Sequence, residues 1–391
     1  MDYTISRLID AFISYYGSSG FQIRAFWAPG RVNLLGEHTD YNGGYVLPFS
    51  IQQGTYLLIR PTTDGLWKFR SENIPFYAEI SIQEEPEKIG NTWINYPLGV
   101  IREFTGRNKM TGGFEFLFFG EIPNGAGLSS SASVEMVTAM ALNVLMNAHF
   151  TITELAHLCQ HAENEFVGMN CGILDQYAVG LGEKNKALFL NCSTLEFEQV
   201  PLLPGNYSFM ICNTNVRREL AGSKYNARHA ECREALKLLS DHKSPENLAS
   251  ISIDMWKSLK RKVEDDKLKR RVDHVINENK RVQDGVVALK QNNIRLFGEL
   301  MHESHQSLRY DFEVSCRELD IMVNLVMETN DAVGAKMTGA GFGGCVIALV
   351  RTDAIETFKK VVGKKYAGET GLNPDFYMAK SGSGLKEIEL K

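Results

Sequence analysis

The sequence is poor in the features that mark secreted, membrane-bound or nucleic-acid-binding proteins. Its seven cysteines (Cys159, Cys171, Cys192, Cys212, Cys232, Cys316 and Cys345) contain no CxxC pair, and their number is odd. That argues against a disulfide frame and reads as buried or free thiols in a reducing compartment. No stretch approaches the roughly 18 apolar residues of a membrane span. The opening "MDYTISRLIDAFISYYG" reads as an amphipathic helix rather than a signal peptide. Lys+Arg number 42 against Asp+Glu 47, so there is no general basic field for nucleic acid or acidic membranes. Repeats and low-complexity tracts are missing. So are the Walker pattern, since no "GK[ST]" follows a glycine run, and the HExxH pattern of helical zinc sites. These absences leave a cytoplasmic globular protein as the expectation. At 391 residues and 44% hydrophobic, two domains are expected over one.

Strands and helices alternate without a regular βαβ rhythm, which predicts an α+β fold. "QGTYLLIRPT", "LWKFRSEN", "GFEFLFFGEI", "ALFLNC" and "YSFMICNTNV" read as strands. "WINYPLGVIREF" and "SVEMVTAMALNVLM" read as helices. "TITELAHLCQHAENEFVGM" is a helix with a start signal, because Thr151 and Glu154 have capping-box spacing. A polar, helix-rich half runs from about Ala221 to Asn330. The chain closes on "VGAKMTGAGFGGCVIALV", a Gly-rich turn feeding a strand, then a helix and a short strand. The domain boundary falls between about Gly182 and Pro204 and is placed at 1–195 and 196–391.

The stretch "PNGAGLSSSASVEM" puts glycines and serines directly before an apolar helix. A helix N-terminus exposes backbone N–H groups and the positive end of its dipole. Glycines allow close approach, and hydroxyls can cap, bind phosphate or ligate magnesium, so the stretch is a candidate anion site. Taken alone, it is also an ordinary loop with a serine N-cap. Glu163 lies four residues after Cys159 and eight after Leu155, on or beside the buried face of its helix. A buried carboxylate needs a partner. Magnesium fits, as does a structural ion pair.

Three segments in this order, "APGRVNLLGEHTDYNGGYVLPFSI", "PNGAGLSSSASVEM" and "KMTGAGFGGCVIAL", resemble the GHMP small-molecule kinases. The first is similar to the galactokinase signature. "FVGMNCGILDQYAVGLG", "NTNVRRELAGSKYNARHAECREAL" and "ESHQSLRYDFEVSCRELDIMV" extend the resemblance from about Arg24 to Val350. The resemblance implies ATP-dependent phosphorylation of the anomeric hydroxyl of galactose. It also implies an N-terminal domain with a left-handed β-α-β crossover, a ferredoxin-like C-terminal domain, and an active site between them.

Carried over residue by residue, Asp175 matches the catalytic aspartate and Arg31 the arginine beside it. Phosphoryl transfer asks mainly for positioning and charge stabilisation, which suits both. Glu37, His38 and Asp40 match the sugar-binding triplet, with Gly172 and Tyr225 also expected around the sugar. Gly125, Gly127, Ser129, Ser130 and Ser131 are expected to wrap the phosphates. Trp93 and Tyr96 are expected to wall the adenine, and Arg217 to lie near the nucleotide. Ser131 and Glu163 match magnesium ligands. The "GAGFGG" turn matches the third motif. Galactose and ATP are the expected partners of a monomer. A kinase for a related sugar such as N-acetylgalactosamine is the alternative, followed by a non-catalytic galactose and ATP sensor, which intact Ser129–Ser133 and Asp175 disfavour. His157 with His161, and His302 with His305, are read as helix faces. "KSLKRKVEDDKLKRR" is read as a solvated helix with Leu259, Val263, Leu268 and Val272 as its apolar edge.

Overall fold

The computed structural model describes residues 3–106, 112–123, 125–216, 221–243 and 245–390. Its strands are β1 (Arg24–Asn33), β2 (Tyr45–Val46), β3 (Pro48–Thr62), β4 (Leu66–Ser71), β5 (Tyr77–Ser81), β6 (Gly113–Gly120), β7 (Lys186–Asn191), β8 (Phe197–Pro201), β9 (Tyr207–Asn213), β10 (Ala332–Thr338), β11 (Cys345–Arg351), β12 (Asp375–Met378) and β13 (Lys386–Ile388). Its helices are α1 (Tyr3–Tyr16), α2 (Asn95–Gly106), α3 (Ser130–Leu145), α4 (Ile152–His161), α5 (Leu174–Leu181), α6 (Ala221–Lys243), α7 (Ile253–Leu259), α8 (Asp266–Lys290), α9 (Ile294–Tyr310), α10 (Arg317–Met327) and α11 (Ile355–Thr370).

A six-stranded sheet in the order β13-β1-β3-β6-β4-β5 organises the first half. All its pairs are antiparallel except β4 with β6, which run parallel across the α2 crossover. Helices α2 to α5 bury their apolar faces with this sheet; Phe26, Leu57, Phe69, Phe116, Leu98, Met136, Leu155 and Tyr177 share one cluster. The second half carries a four-stranded antiparallel sheet, β10-β11-β9-β12. Numbered within that domain and read from its β12 edge, the order is 4-1-3-2, the ferredoxin-like arrangement. A third cluster joins the halves: Val32, Leu34 and Phe49 pack with Val282, Phe297, Ile347 and Leu349. The domains therefore share a core instead of meeting at a wet surface.

The α4 capping box forms as its spacing predicts. Glu154 N–H donates to Thr151 Oγ1 at 3.2 Å, and Thr151 N–H to Glu154 Oε2 at 2.7 Å. The basic run 257–271 differs from its reading as one helix. Asp265 accepts from Lys267 N and Leu268 N and so caps a new helix, which separates α7 from α8. Its edge residues Leu259, Val263, Leu268 and Val272 are nevertheless all buried. The 195/196 boundary falls inside a paired hairpin, since β7 and β8 hydrogen-bond across it. The chain also re-enters the first sheet at its end, where β13 pairs with β1.

Candidate active site

A cavity of about 260 Å³ lies between the two sheets, where β1, α3, α5, α6 and the β10–β11 turn converge. Period-2 alternation along β1 puts Arg31 and Asn33 on one face, and both line the cavity, while Val32 turns into the shared core. Past β1 the chain makes the tight turn holding Glu37, His38 and Asp40, all three in the cavity wall. Thr39 Oγ1 staples this turn, donating to the carbonyls of Gly36 and Tyr45, each at 2.8 Å.

Arg31 is the hinge of the site. Its Nε and Nη2 converge on Asp175 Oδ1 at 2.8 and 2.6 Å, and its Nη1 donates to the Gly127 carbonyl at 2.8 Å. One guanidinium thus ties the first turn of α5 to the glycine loop before α3. Asp175 Oδ2 accepts from Ser129 Oγ at 2.5 Å. Ser129 occupies the N-cap position of α3 with φ 57°, yet its side chain caps nothing and reaches the aspartate instead. Left-handed backbone at a non-glycine residue costs about 1–3 kcal/mol, and here it aims the hydroxyl. Ser133 is buried and structural, donating to the Ala28 carbonyl.

Glu163 sits in a π-helical turn, Ala162–Val167, that continues α4. Such insertions re-aim side chains and are frequent at functional sites. Its carboxylate accepts from Gln176 Nε2 at 2.8 Å and bonds the Ser131 hydroxyl. Glu135, fully buried on α3, lies beside it. Burial first, and the proximity of acidic neighbours second, push both carboxyl groups up. Among the described residues no cation pairs with either. An oxygen-rich, anion-crowded corner of this kind fits magnesium, for which Ser131 and Glu163 would be the donors.

Across the cavity, Gly172 has no room for a side chain: a Cβ there would strike the Asp40 carboxylate. His38 Nε2 donates to the Ala340 carbonyl at 3.2 Å, so Nδ1 must accept from the Tyr41 hydroxyl at 2.8 Å. Burial pushes His38 down to about 3, which keeps the ring neutral. Tyr225 packs against it, with ring centroids 5.4 Å apart. Burial, then the charge of Asp175, raises Asp40 to about 7. A carboxyl raised in the folded state lends stability at low pH that is lost as pH climbs from the unfolded value toward about 7. Asp40→Asn should therefore raise the melting temperature of the free protein by about 1–3 °C at pH 8 and change it little at pH 4, measured by scanning calorimetry. A shift of equal size at both pH values would show that its charge is not what strains the site.

The glycine motifs also meet. A Cβ on Gly339 (φ +82°) would lie 2.8 Å from the Gly127 carbonyl, so the third motif buttresses the glycine loop before α3. Of the residues expected from the sequence, Arg31, Glu37, His38, Asp40, Tyr96, Gly125, Gly127, Ser129, Ser130, Ser131, Glu163, Gly172, Asp175 and Tyr225 all line the one cavity. Trp93 is set outside it, edge-on to Phe118 at 5.2 Å. Arg217 lies outside the described residues. Sequence reasoning missed Asn33, Glu135, Gln176 and Lys336. Asn33 alone had a local signal: it stands two residues after Arg31 on a strand. Its amide atoms are buried without partners among the described residues.

Comparison with known proteins gives the family. The galactokinase galactose-binding signature matches residues 10–61. The GHMP kinase N-terminal domain matches 95–183, and the GHMP kinase C-terminal domain 286–368. A galactokinase of Fusobacterium nucleatum is 43% identical over 98% of this chain and 100% of its own. The crystal structure of Lactococcus lactis galactokinase complexed with galactose superimposes with a TM-score of 0.96 at 41% identity, covering 98% of this chain and 100% of that one. Methanococcus jannaschii mevalonate kinase shares the fold alone, with a TM-score of 0.67 at 21% identity over 94% of this chain and 100% of its own. Signature, full-length identity and fold converge, and the chain belongs to the galactokinase family of GHMP kinases.

Proposed function

We infer that the chain transfers the γ-phosphoryl group of ATP to the anomeric hydroxyl of D-galactose, giving galactose 1-phosphate and ADP. The observation that carries this reading is the Arg31 guanidinium, which joins Asp175 to the carbonyl of the glycine loop. A reacting hydroxyl beside Asp175 and a phosphate on that loop must then meet at one point. The hydroxyl oxygen bonds to the γ-phosphorus as the bond to the β–γ bridging oxygen breaks. ADP leaves with that electron pair, and the hydroxyl proton passes to Asp175. Arg31 faces the charge on the transferring group, and the backbone N–H groups at the start of α3 hold the phosphates.

Glu37, His38, Asp40 and Tyr225 bind the sugar, which galactose bound to the Lactococcus relative supports. His38 uses both ring nitrogens within the protein, Nε2 on the Ala340 carbonyl and Nδ1 on the Tyr41 hydroxyl, so it lines the sugar pocket as a fixed ring and leaves hydrogen bonding to the carboxyl groups of Glu37 and Asp40. A sugar that lacks or inverts a matched hydroxyl leaves buried groups unpaired. Tyr96 borders the nucleotide. Ser131 and Glu163 would hold magnesium, which would supply neutralisation of the phosphate charge. Glu163→Gln should raise the half-saturating magnesium concentration about tenfold or more. An unchanged titration of ADP release against magnesium would return Glu163 to a packing role.

The deciding experiment is ADP release with magnesium-ATP across galactose, N-acetylgalactosamine, glucose, arabinose and mevalonate. Turnover on galactose should stand well above the rest. No turnover on any of them, with galactose still raising the melting temperature, would turn the reading to a binding protein.

A further inference from the structure

A buried cation beside the sugar turn has no part in the mechanism. Lys336 on β10 is fully buried, 299 residues along the chain from its partner, and pairs with Glu37 Oε2. Its Nζ also donates to the Met337 carbonyl at 2.9 Å. Glu37 Oε1 is buried in the cavity wall with no partner among the described residues. We propose that Lys336 is a positioning residue for the sugar site, fixing the Glu37 carboxylate so that Oε1 alone is presented to a galactose hydroxyl.

Three observations support this. First, the turn bearing Glu37 is gripped from the same side by α8. Gly36 N–H donates to Glu278 Oε1 at 2.8 Å, and His274 Nε2 to the Glu37 carbonyl at 3.0 Å. Glu278 is itself held by Ser304 Oγ and Arg281 Nε. Against the cost of burial, Arg281, His274 and Lys336 push Glu278 down to about 2, so it stays a pure acceptor. Second, burial drives Glu37 toward protonation and the Lys336 ammonium opposes it. A protonated Glu37 would offer a donor where the sugar hydroxyl needs an acceptor. Third, a buried ion pair is a poor stability device, since apolar residues of the same volume often serve as well or better. Its use here is explained by where it puts the carboxylate. The period of β10 gives Lys336 and Thr338 one face. Thr338 Oγ1 donates to the Asn33 carbonyl at 3.1 Å and accepts from Asn33 N–H at 3.1 Å. A strand of the C-terminal domain thus sets the register of the sugar-binding turn on the N-terminal one.

The inference rests on the galactose reading, and a double-mutant cycle separates the two. Galactose and ATP KM and kcat are measured for wild type, Lys336→Met, Glu37→Gln and the double variant. Lys336→Met should raise galactose KM about tenfold or more with ATP KM within about threefold, and Lys336→Arg should recover most of the loss. In the Glu37→Gln background, adding Lys336→Met should cost little further, because the group it acts through is gone. Additive losses, or galactose and ATP KM rising in step, would overturn the positioning role. If Lys336→Met alone fails to fold, the comparison of the double variant, which buries neither charge, with Glu37→Gln carries the test. A wild-type enzyme that ignores galactose sinks the underlying reading instead.

Discussion

Replacing Asp175 by Asn should lower kcat by about 10²–10⁴-fold, the range for a positioned proton acceptor. Galactose and ATP affinities should stay within a few-fold of wild type. The geometry explains why this change is so selective. Asp175 Oδ1 takes two N–H groups of Arg31, and Oδ2 takes the Ser129 hydroxyl. An amide keeps the shape but removes the charge that faces the guanidinium, and it puts an N–H₂ group toward a donor. On the sugar turn the change is limited to Asp40, which loses the neighbouring charge that helps to raise its carboxyl. Rapid-quench turnover with isothermal titration of each substrate separates the terms. A kcat within tenfold of wild type would remove Asp175 from the proton's path. Loss of galactose binding in parallel with kcat would make it a binding group.

Arg31 should be as costly. Arg31→Met is expected to reduce kcat by about 10³–10⁵-fold, the scale of a catalytic arginine on a transferring phosphoryl group. The sharper test is Arg31→Lys. Arg31 makes contacts in two directions at once, to Asp175 from Nε and Nη2 and to the Gly127 carbonyl from Nη1. An ammonium is a single point and lacks the planar fork. Lysine should therefore recover less than about tenfold of the loss, although the formal charge is restored. Near-normal turnover of Arg31→Lys would mean that charge alone matters and that the link to the glycine loop is incidental.

How much of this was legible varies with the range of the interaction that decides it. Glu163 could be flagged because helical spacing alone puts it by a buried face, and a buried carboxylate asks for a partner. The α4 capping box was legible for the same reason, being complete within four residues. The motif set brought nearly every lining residue to the page, because each motif is one local turn. What stayed hidden was non-local. Glu135 reads as an ordinary polar residue in an apolar helix until α4 sets Glu163 beside it. Lys336 reads as a strand lysine until β10 is laid against the turn of Glu37. Trp93 and Tyr96 look equivalent in "WINY", yet a difference of three positions at a helix start sends one toward Phe118 and the other to the cavity. The β7–β8 pairing across residues 195 and 196 is likewise hidden, and nothing in either strand alone announces it.

The return of β13 to the first sheet has a consequence for synthesis. Arg24 and Glu387 pair across 363 residues of chain, with Nε and Nη2 each 2.7 Å from a carboxylate oxygen. Ile388 and Leu390 also pack on the cluster of Ile5, Leu8 and Phe12. As the chain leaves the ribosome, β1 can pair with β3 early, but its other edge has no strand until Lys386–Ile388 emerge. The N-terminal domain must wait through translation of the entire C-terminal domain with an open strand edge, the exposure that invites aggregation. Stalled or C-terminally clipped chains should accordingly be the insoluble fraction in an expressing cell. A permuted chain in which β13 is synthesised ahead of β1 should shorten that wait.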